Sequence, residues 1–341
     1  MTTRNWIAAV VLMGLLTGVG ERLLAQDLHF SQYYNAPLNT SPALTGVFSG
    51  DVRMGANARQ QWASVPVPYL TFSGYYDRKI YVPGLTNGLL GGGILFNYDK
   101  AGDGNLSWAQ IGIAVSYTQQ LAETHYLTGG AMLQLGQRAF DPTKLNFDDQ
   151  YNGDIFDPTL TSAESFPKTS VAYTDLSAGI NWLMISRDNR NEIVAGVAFY
   201  HLTQPAVGFF DDRSATLPMR SAVYTHGVVQ VAEKLDVVVH GAWQLMSPQR
   251  EILAGAGARY HLALNPLQTI ALQAGLSYRL SDALIPHLEV HYNEWMVGLS
   301  YDINTSAFQA ASARRGGPEI AVRYIITKVK PPDAFKSCPV F

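Results

Sequence analysis

Residues 269–280 alternate, with Ile270, Leu272, Ala274, Leu276, Tyr278 and Leu280 on one side and Gln273, Gly275, Ser277 and Arg279 on the other. Side chains of a strand point to opposite faces in turn, so this is a ribbon with one oily and one wet face. The pattern recurs along the chain and predicts strands over 51–63, 68–79, 87–99, 105–121, 124–138, 171–187, 190–201, 219–231, 234–246, 250–262, 267–279, 284–293, 294–303 and 318–329. The even number and the alternation in connection length both fit a transmembrane antiparallel β-barrel of about 14 strands. Turns such as Ala122-Glu123, Asp188-Asn189 and Ala232-Glu233 are brief, whereas 139–170, 202–218 and 304–317 are long. Short turns belong to the periplasmic side of such a barrel and long loops to the outside.

The outward set includes Leu127, Leu133, Leu135, Leu176, Ile180, Trp182, Val239, Trp243, Val297 and Leu299. The inward set includes Gln134, Asn181, His240, Gln273, Arg279, His287, Glu289, His291, Asp302 and Arg323. Arg279, Glu289 and Arg323 are expected to pair across the lumen. Tyrosines including Tyr75 and Tyr200 are expected at the lipid headgroup level, which amphipathic rings favour.

The amino terminus narrows the compartment. Arg4, the uncharged stretch Asn5–Gly20 and Leu23-Leu24-Ala25 have the plan of a signal peptide over 1–25, with the mature chain starting at Gln26. No later stretch is long and apolar enough for a membrane helix. Mean hydropathy is close to zero, as expected when lipid-facing and lumen-facing residues average out. A net charge of −3 without basic clusters argues against a nucleic-acid partner. One cysteine, Cys338, rules out an internal disulfide framework. The expected organisation is therefore a signal at 1–25, a periplasmic segment or plug at 26–50, a barrel at 51–329 and a periplasmic tail at 330–341.

Several sequence blocks carry a family resemblance. They are His29-Phe30-Ser31-Gln32-Tyr33 with Pro37, Pro42-Ala43-Leu44-Thr45-Gly46 and Arg59-Gln60-Gln61-Trp62. Further along come Phe147-Asp148-Asp149-Gln150-Tyr151 with Phe156-Asp157, then Ser300-Tyr301-Asp302-Ile303-Asn304. The last are Arg315-Gly316-Gly317 with Glu319 and the terminal Cys338-Pro339-Val340-Phe341. In these the chain resembles the PorP/SprF family of Bacteroidetes outer-membrane proteins, departing at Ser41, where the family has Asn, and at Pro318, where it has an aromatic. The resemblance implies an integral outer-membrane barrel, in contact with outer-membrane lipid, that serves type IX secretion and gliding motility. Implied partners are a large adhesin cargo with a non-cleaved carboxy-terminal sorting domain, a periplasmic peptidoglycan-binding lipoprotein and the secretion ring. Partner-binding candidates are Phe30, Gln32, Tyr33, Pro42, Trp62, Phe147, Gln150, Phe156, Arg315, Cys338 and Phe341.

Other chemistry is weaker. His287, Glu289 and His291 share one strand face, but a hydrogen-bonded lumen wall explains them better than a metal. Asp148, Asp149, Asp154 and Asp157 are weak calcium candidates, since hard oxygens at short spacing can hold that ion, although the spacing is not that of the twelve-residue calcium loop. Ser, His and Asp are scattered without a nucleophile elbow, so neither an enzyme nor a cofactor is expected. Gly91-Gly92-Gly93 lies inside a strand pattern and suits relief of crowding rather than phosphate binding. A passive channel for small solutes, plugged by the amino-terminal segment, is the alternative function.

Overall fold

The computed structural model describes residues 27–61, 69–85, 87–102, 104–153, 155–157, 159–210, 215–265, 268–306 and 315–327. The signal segment, Trp62, Asp154, the side chain of Arg315 and the tail with Cys338 and Phe341 lie outside the described residues.

The strands are β1 (Val52–Gln61), β2 (Tyr69–Ile80), β3 (Gly88–Ala101), β4 (Leu106–Ala122), β5 (His125–Ala139), β6 (Tyr151–Asn152), β7 (Ile155–Phe156), β8 (Ser170–Ile185), β9 (Glu192–Tyr200) and β10 (Arg220–Ala232). They continue as β11 (Leu235–Met246), β12 (Gln249–Asn265), β13 (Gln268–Arg279), β14 (Ala283–Tyr292), β15 (Trp295–Asn304) and β16 (Arg315–Ile326). Short β6 and β7 pair only with each other, in the loop after β5. The other fourteen close into one antiparallel barrel, each beside its neighbour in sequence. Its seam joins β1 to β16, from Val52↔Ile326 to Arg59↔Glu319. Closure leaves no unpaired edge, which is what hydrocarbon requires of a spanning sheet.

The end where β1 begins and β16 finishes is the terminal end. The loops after β5 and β9 leave from the opposite, loop end, where β15 also finishes. Outside, Ile113, Leu133, Ile180, Leu276 and Leu299 are exposed, while Gln134, Asn181, Gln273 and Ser277 are buried inside. So continuous an exposed apolar surface needs lipid around it. Two expected headgroup tyrosines are instead interior: Tyr75 and Tyr200 are buried, because the lumen segment offers Leu38 as an apolar partner for both rings.

Residues 27–50 run inside the cylinder. Pro37 and Pro42 start short turns at Pro37–Thr40 and Pro42–Leu44, where proline's fixed φ suits the first position. Ser41 Oγ accepts from Ala43 N at 3.2 Å and so caps the second turn. The core lies between this segment and the wall. Leu38 packs with Tyr75, Leu95, Ala114, Met132, Ala198, Tyr200 and Ala222 in one buried cluster. The wall makes room with glycine. A Cβ on Gly130 would stand 2.5 Å from the Pro42 and Ala43 backbone, and one on Gly91 2.6 Å from the Thr45 carbonyl. Gly91 and Gly93 thus relieve crowding by the chain's own amino-terminal segment, whereas Gly92 faces the other side of the strand, beside Ile80.

Candidate functional site

Three of the sequence blocks that lie far apart in the chain, those holding Arg59, Ser300 with Asp302, and Glu319, converge around the first turn of the lumen segment. Barrel closure sets β1 beside β16 and β16 beside β15, so Arg59, Glu319 and Asp302 share one patch of inner wall. Glu319 accepts from Ser31 N at 2.7 Å and Gln32 N at 2.9 Å. Asp302 accepts from Ser31 Oγ at 2.7 Å and from Arg279 Nη1 at 2.9 Å, and also pairs with Arg59. Arg59 Nη1 donates to the His29 carbonyl at 2.8 Å, and Arg279 Nη2 to Ser31 Oγ at 2.7 Å. All these groups are buried, so each charge depends on its partner.

Further along, Gln32 Nε2 donates to Ser300 Oγ at 3.1 Å and Asn35 Nδ2 to Glu289 Oε1 at 3.1 Å. Tyr33 OH bridges the Thr225 and Gly241 carbonyls at 2.6 and 2.9 Å. Tyr200 OH donates to the Leu38 carbonyl at 2.8 Å. Nearer the terminal end, Arg53 holds Asp77 through two bonds of 2.9 and 2.8 Å and donates to the Leu44 carbonyl at 2.9 Å. Asp77 in turn accepts from Gly46 N at 2.7 Å.

Phe30, Gln32, Tyr33 and Pro42 are thus buried against the wall. Phe147, Gln150 and Phe156 sit apart from them in the loop after β5, where Gln150 Oε1 accepts from Phe147 N at 3.0 Å and its Nε2 donates to the Leu160 carbonyl at 3.0 Å. The expected Arg279–Glu289 pairing does not occur. Arg279 is one strand end away, with Asp302, Asp282 and Glu251, while Glu289 takes His291 Nε2 at 3.1 Å and Asn35. Arg59 and Glu319, which hold the segment, were present in the quoted blocks but carried no sequence signal for their role; only the seam brings them together.

A second set of charges holds the start of the segment at the loop end. Asp27 Oδ2 lies 3.0 Å from Arg220 Nε and 3.2 Å from His201 Nε2, and His201 Nδ1 lies 2.6 Å from Asp175 Oδ2. Burial disfavours ionised Asp27, but Arg220 and His201 outweigh it and hold the carboxyl well below its usual range. Burial likewise disfavours the imidazolium of His201, yet Asp27 and Asp175 raise it to about 9.

The sign of the pH effect follows. A histidine raised above its ordinary 6.5 stabilises fully below that value, and the contribution is lost as pH rises through about 9. Asp27, being lowered, contributes above the ordinary carboxylate range and fails only in strong acid. Protease cleavage within 27–50 is therefore expected to rise between roughly pH 7 and 10, and His201→Gln to flatten that rise. A wild-type profile already flat across the window would refute the clamp.

Around the segment, a cavity of about 290 Å³ opens at the loop end beside Asp27, His29, Glu251 and Arg279. Another of about 220 Å³ lies toward the terminal end beside Tyr34, His226, Arg259 and Glu289. A small cavity of about 20 Å³ lies beside Tyr33 and Tyr224.

Among the described loop carboxylates, Asp149 and Asp157 turn to separate partners. Asp149 accepts from Ser162 Oγ and Ala163 N, and Asp157 from Thr159. Among the described residues no three His, Cys, Asp or Glu side chains converge on a metal-sized site.

The chain resembles solved outer-membrane barrels in fold. The Ralstonia pickettii toluene transporter TbuX matches with a TM-score of 0.51 at 10% identity, over 85% of this chain and 92% of that one. A deltaS2S3 mutant of the monoaromatic hydrocarbon channel TodX matches with a TM-score of 0.50 at 8% identity, over 85% and 93%. At such identities the likeness is one of architecture. No curated protein is similar enough in sequence to match. The family model of the type IX secretion system membrane protein PorP/SprF matches residues 23–324. This outer-membrane barrel, in which Arg59, Ser300, Asp302 and Glu319 of separate motif blocks meet the lumen segment, belongs to the PorP/SprF family of type IX secretion system membrane proteins.

Proposed function

We propose that the chain is a non-enzymatic outer-membrane component of the type IX secretion and gliding machinery that anchors, or helps to export and display, a large adhesin-type cargo with a non-cleaved carboxy-terminal sorting domain. In this reading the terminal end faces the periplasm. The tail 330–341, with Cys338 and Phe341, meets the peptidoglycan-binding lipoprotein and the secretion ring. The loops 139–170, 202–218 and 304–317 face outward, toward cargo.

The observation that carries the reading is the pairing of family with filling. A chain matched over 23–324 by a secretion family keeps its lumen occupied by its own residues 27–50, hydrogen-bonded to wall strands on all sides. That suits a rigid mount better than a passive pore, which is the rival. Affinity purification of the protein from outer membranes, followed by mass spectrometry, tests it. Recovery of a very large surface adhesin is expected, and consistent recovery of small-solute uptake components without any adhesin would favour the channel instead.

A further inference from the structure

The loops after β5 and β9 are braced by phenylalanines. Phe140 meets Phe166 at 5.0 Å and Phe209 at 4.6 Å between ring centroids, and Phe166 meets Phe147 at 6.0 Å and Phe210 at 6.1 Å. Aromatic pairs at such separations are attractive and hold the loops as one body. Yet apolar side chains of these loops stay open: Phe210 of the cluster is 54% exposed, and Tyr151 and Ile155 of the β6–β7 hairpin are 50% and 73% exposed.

Charge says what covers this face. Residues 139–170 contain six acidic residues (Asp141, Asp148, Asp149, Asp154, Asp157 and Glu164) against two lysines, Lys144 and Lys168. Hydrogen bonds from Thr143 to Asp141, from Ala163 and Ser162 to Asp149, and from Thr159 to Asp157 hold these three carboxyls below their ordinary range. They are therefore ionised in neutral medium. A phosphate-bearing lipid surface would be repelled by such loops, while a cationic polypeptide would be drawn to them.

We propose that the two loops form a docking platform for a basic segment of another protein that also carries apolar side chains. The apolar groups seat on Phe210, Tyr151 and Ile155, and the cations meet the surrounding carboxylates. This deepens the secretory reading, on which it rests for the side of the membrane the platform faces.

Three matched synthetic peptides serve as probes against the full chain in zwitterionic nanodiscs: lysine alternating with phenylalanine, glutamate with phenylalanine, and lysine with serine. The first is expected to bind at least about tenfold more tightly than the other two. The pair Phe210→Ser and Ile155→Ser should remove most of that preference, and the pair Asp148→Lys and Glu164→Lys should reverse it between the first two peptides. Heat-modified gel migration reports whether each variant keeps its barrel. Equal affinity for the three peptides, or affinities untouched by both pairs, would overturn the platform. A photoreactive residue at Phe210 in intact cells should crosslink to protein segments of net positive charge; adducts on lipopolysaccharide would overturn it in favour of a lipid contact. Labelling of Leu160→Cys by an impermeant maleimide checks the facing separately. Its failure would defeat the outward assignment of the secretory reading and leave the peptide affinities to judge the platform.

Discussion

Replacing Asp302 by leucine is expected to unseat the lumen segment and to cost about 3–5 kcal/mol of stability, the usual effect of stripping one partner from a buried charge network. Asp302 is the shared acceptor for Ser31, Arg59 and Arg279, and its side chain is 2% exposed. Leucine fills the space but leaves the Arg59 guanidinium without the carboxylate it pairs with. Asp302→Asn keeps the shape and part of the hydrogen bonding, so its loss should be smaller. Pairing Asp302→Leu with Arg59→Met removes both buried ends and should recover much of the loss. Thermal unfolding in detergent measures the cost, and cleavage within 27–50 reports the unseating. Wild-type melting and protease resistance in Asp302→Leu would show that the network does not hold the segment.

Removal of residues 27–46 should have the second large effect. The fourteen barrel strands begin at Val52 and close through their own ladders, so the variant is expected to fold and to keep its heat-modified migration. With the lumen emptied, Arg59, Arg279, Asp302 and Glu319 would face water, and ion conductance in planar bilayers should rise sharply. Because leakage follows from geometry alone, it does not separate an anchor from a plugged channel. Surface display does. Cells carrying the deletion should lose the displayed adhesin, and unchanged display would deny this segment any part in anchoring.

Much of the wall was legible in the sequence because a strand solvated by lipid on one side and by polar groups on the other must alternate. The ribbon 269–280 reads correctly residue by residue: Gln273 and Ser277 are buried, and Leu272 and Leu276 are exposed. Interior contents were less legible. Residues 27–50 have the turn formers and aromatics of a loop, and no periodicity says whether such a stretch lies below a barrel or within it. Tyr75 and Tyr200 were misplaced for a related reason. A tyrosine suits the headgroup level or a polar lumen equally well, and the Leu38 carbonyl that Tyr200 reaches comes from that unassigned segment. The partners of Arg279 depended on register: pairing sets Arg279 opposite Ala283 and Gln273 opposite Glu289, which puts Glu289 out of its reach. The loop carboxylates were clear as a charge pattern, but their separate backbone partners were not.

The seam carries a consequence for biogenesis. Ser31 and Gln32 bind Glu319 on the last strand, while Arg59 on the first strand reaches the carbonyl of His29. The earliest-made residues of the wall and the latest-made ones are thus stapled by the same short peptide, with nearly the whole polypeptide between them. Contacts of such long sequence separation form late, because their loop-closure entropy must be met first. Zipping the cylinder shut and packing its interior are accordingly one cooperative step, and a half-assembled intermediate would present both an open hydrogen-bonding edge and an unfilled bore to whatever machinery inserts it.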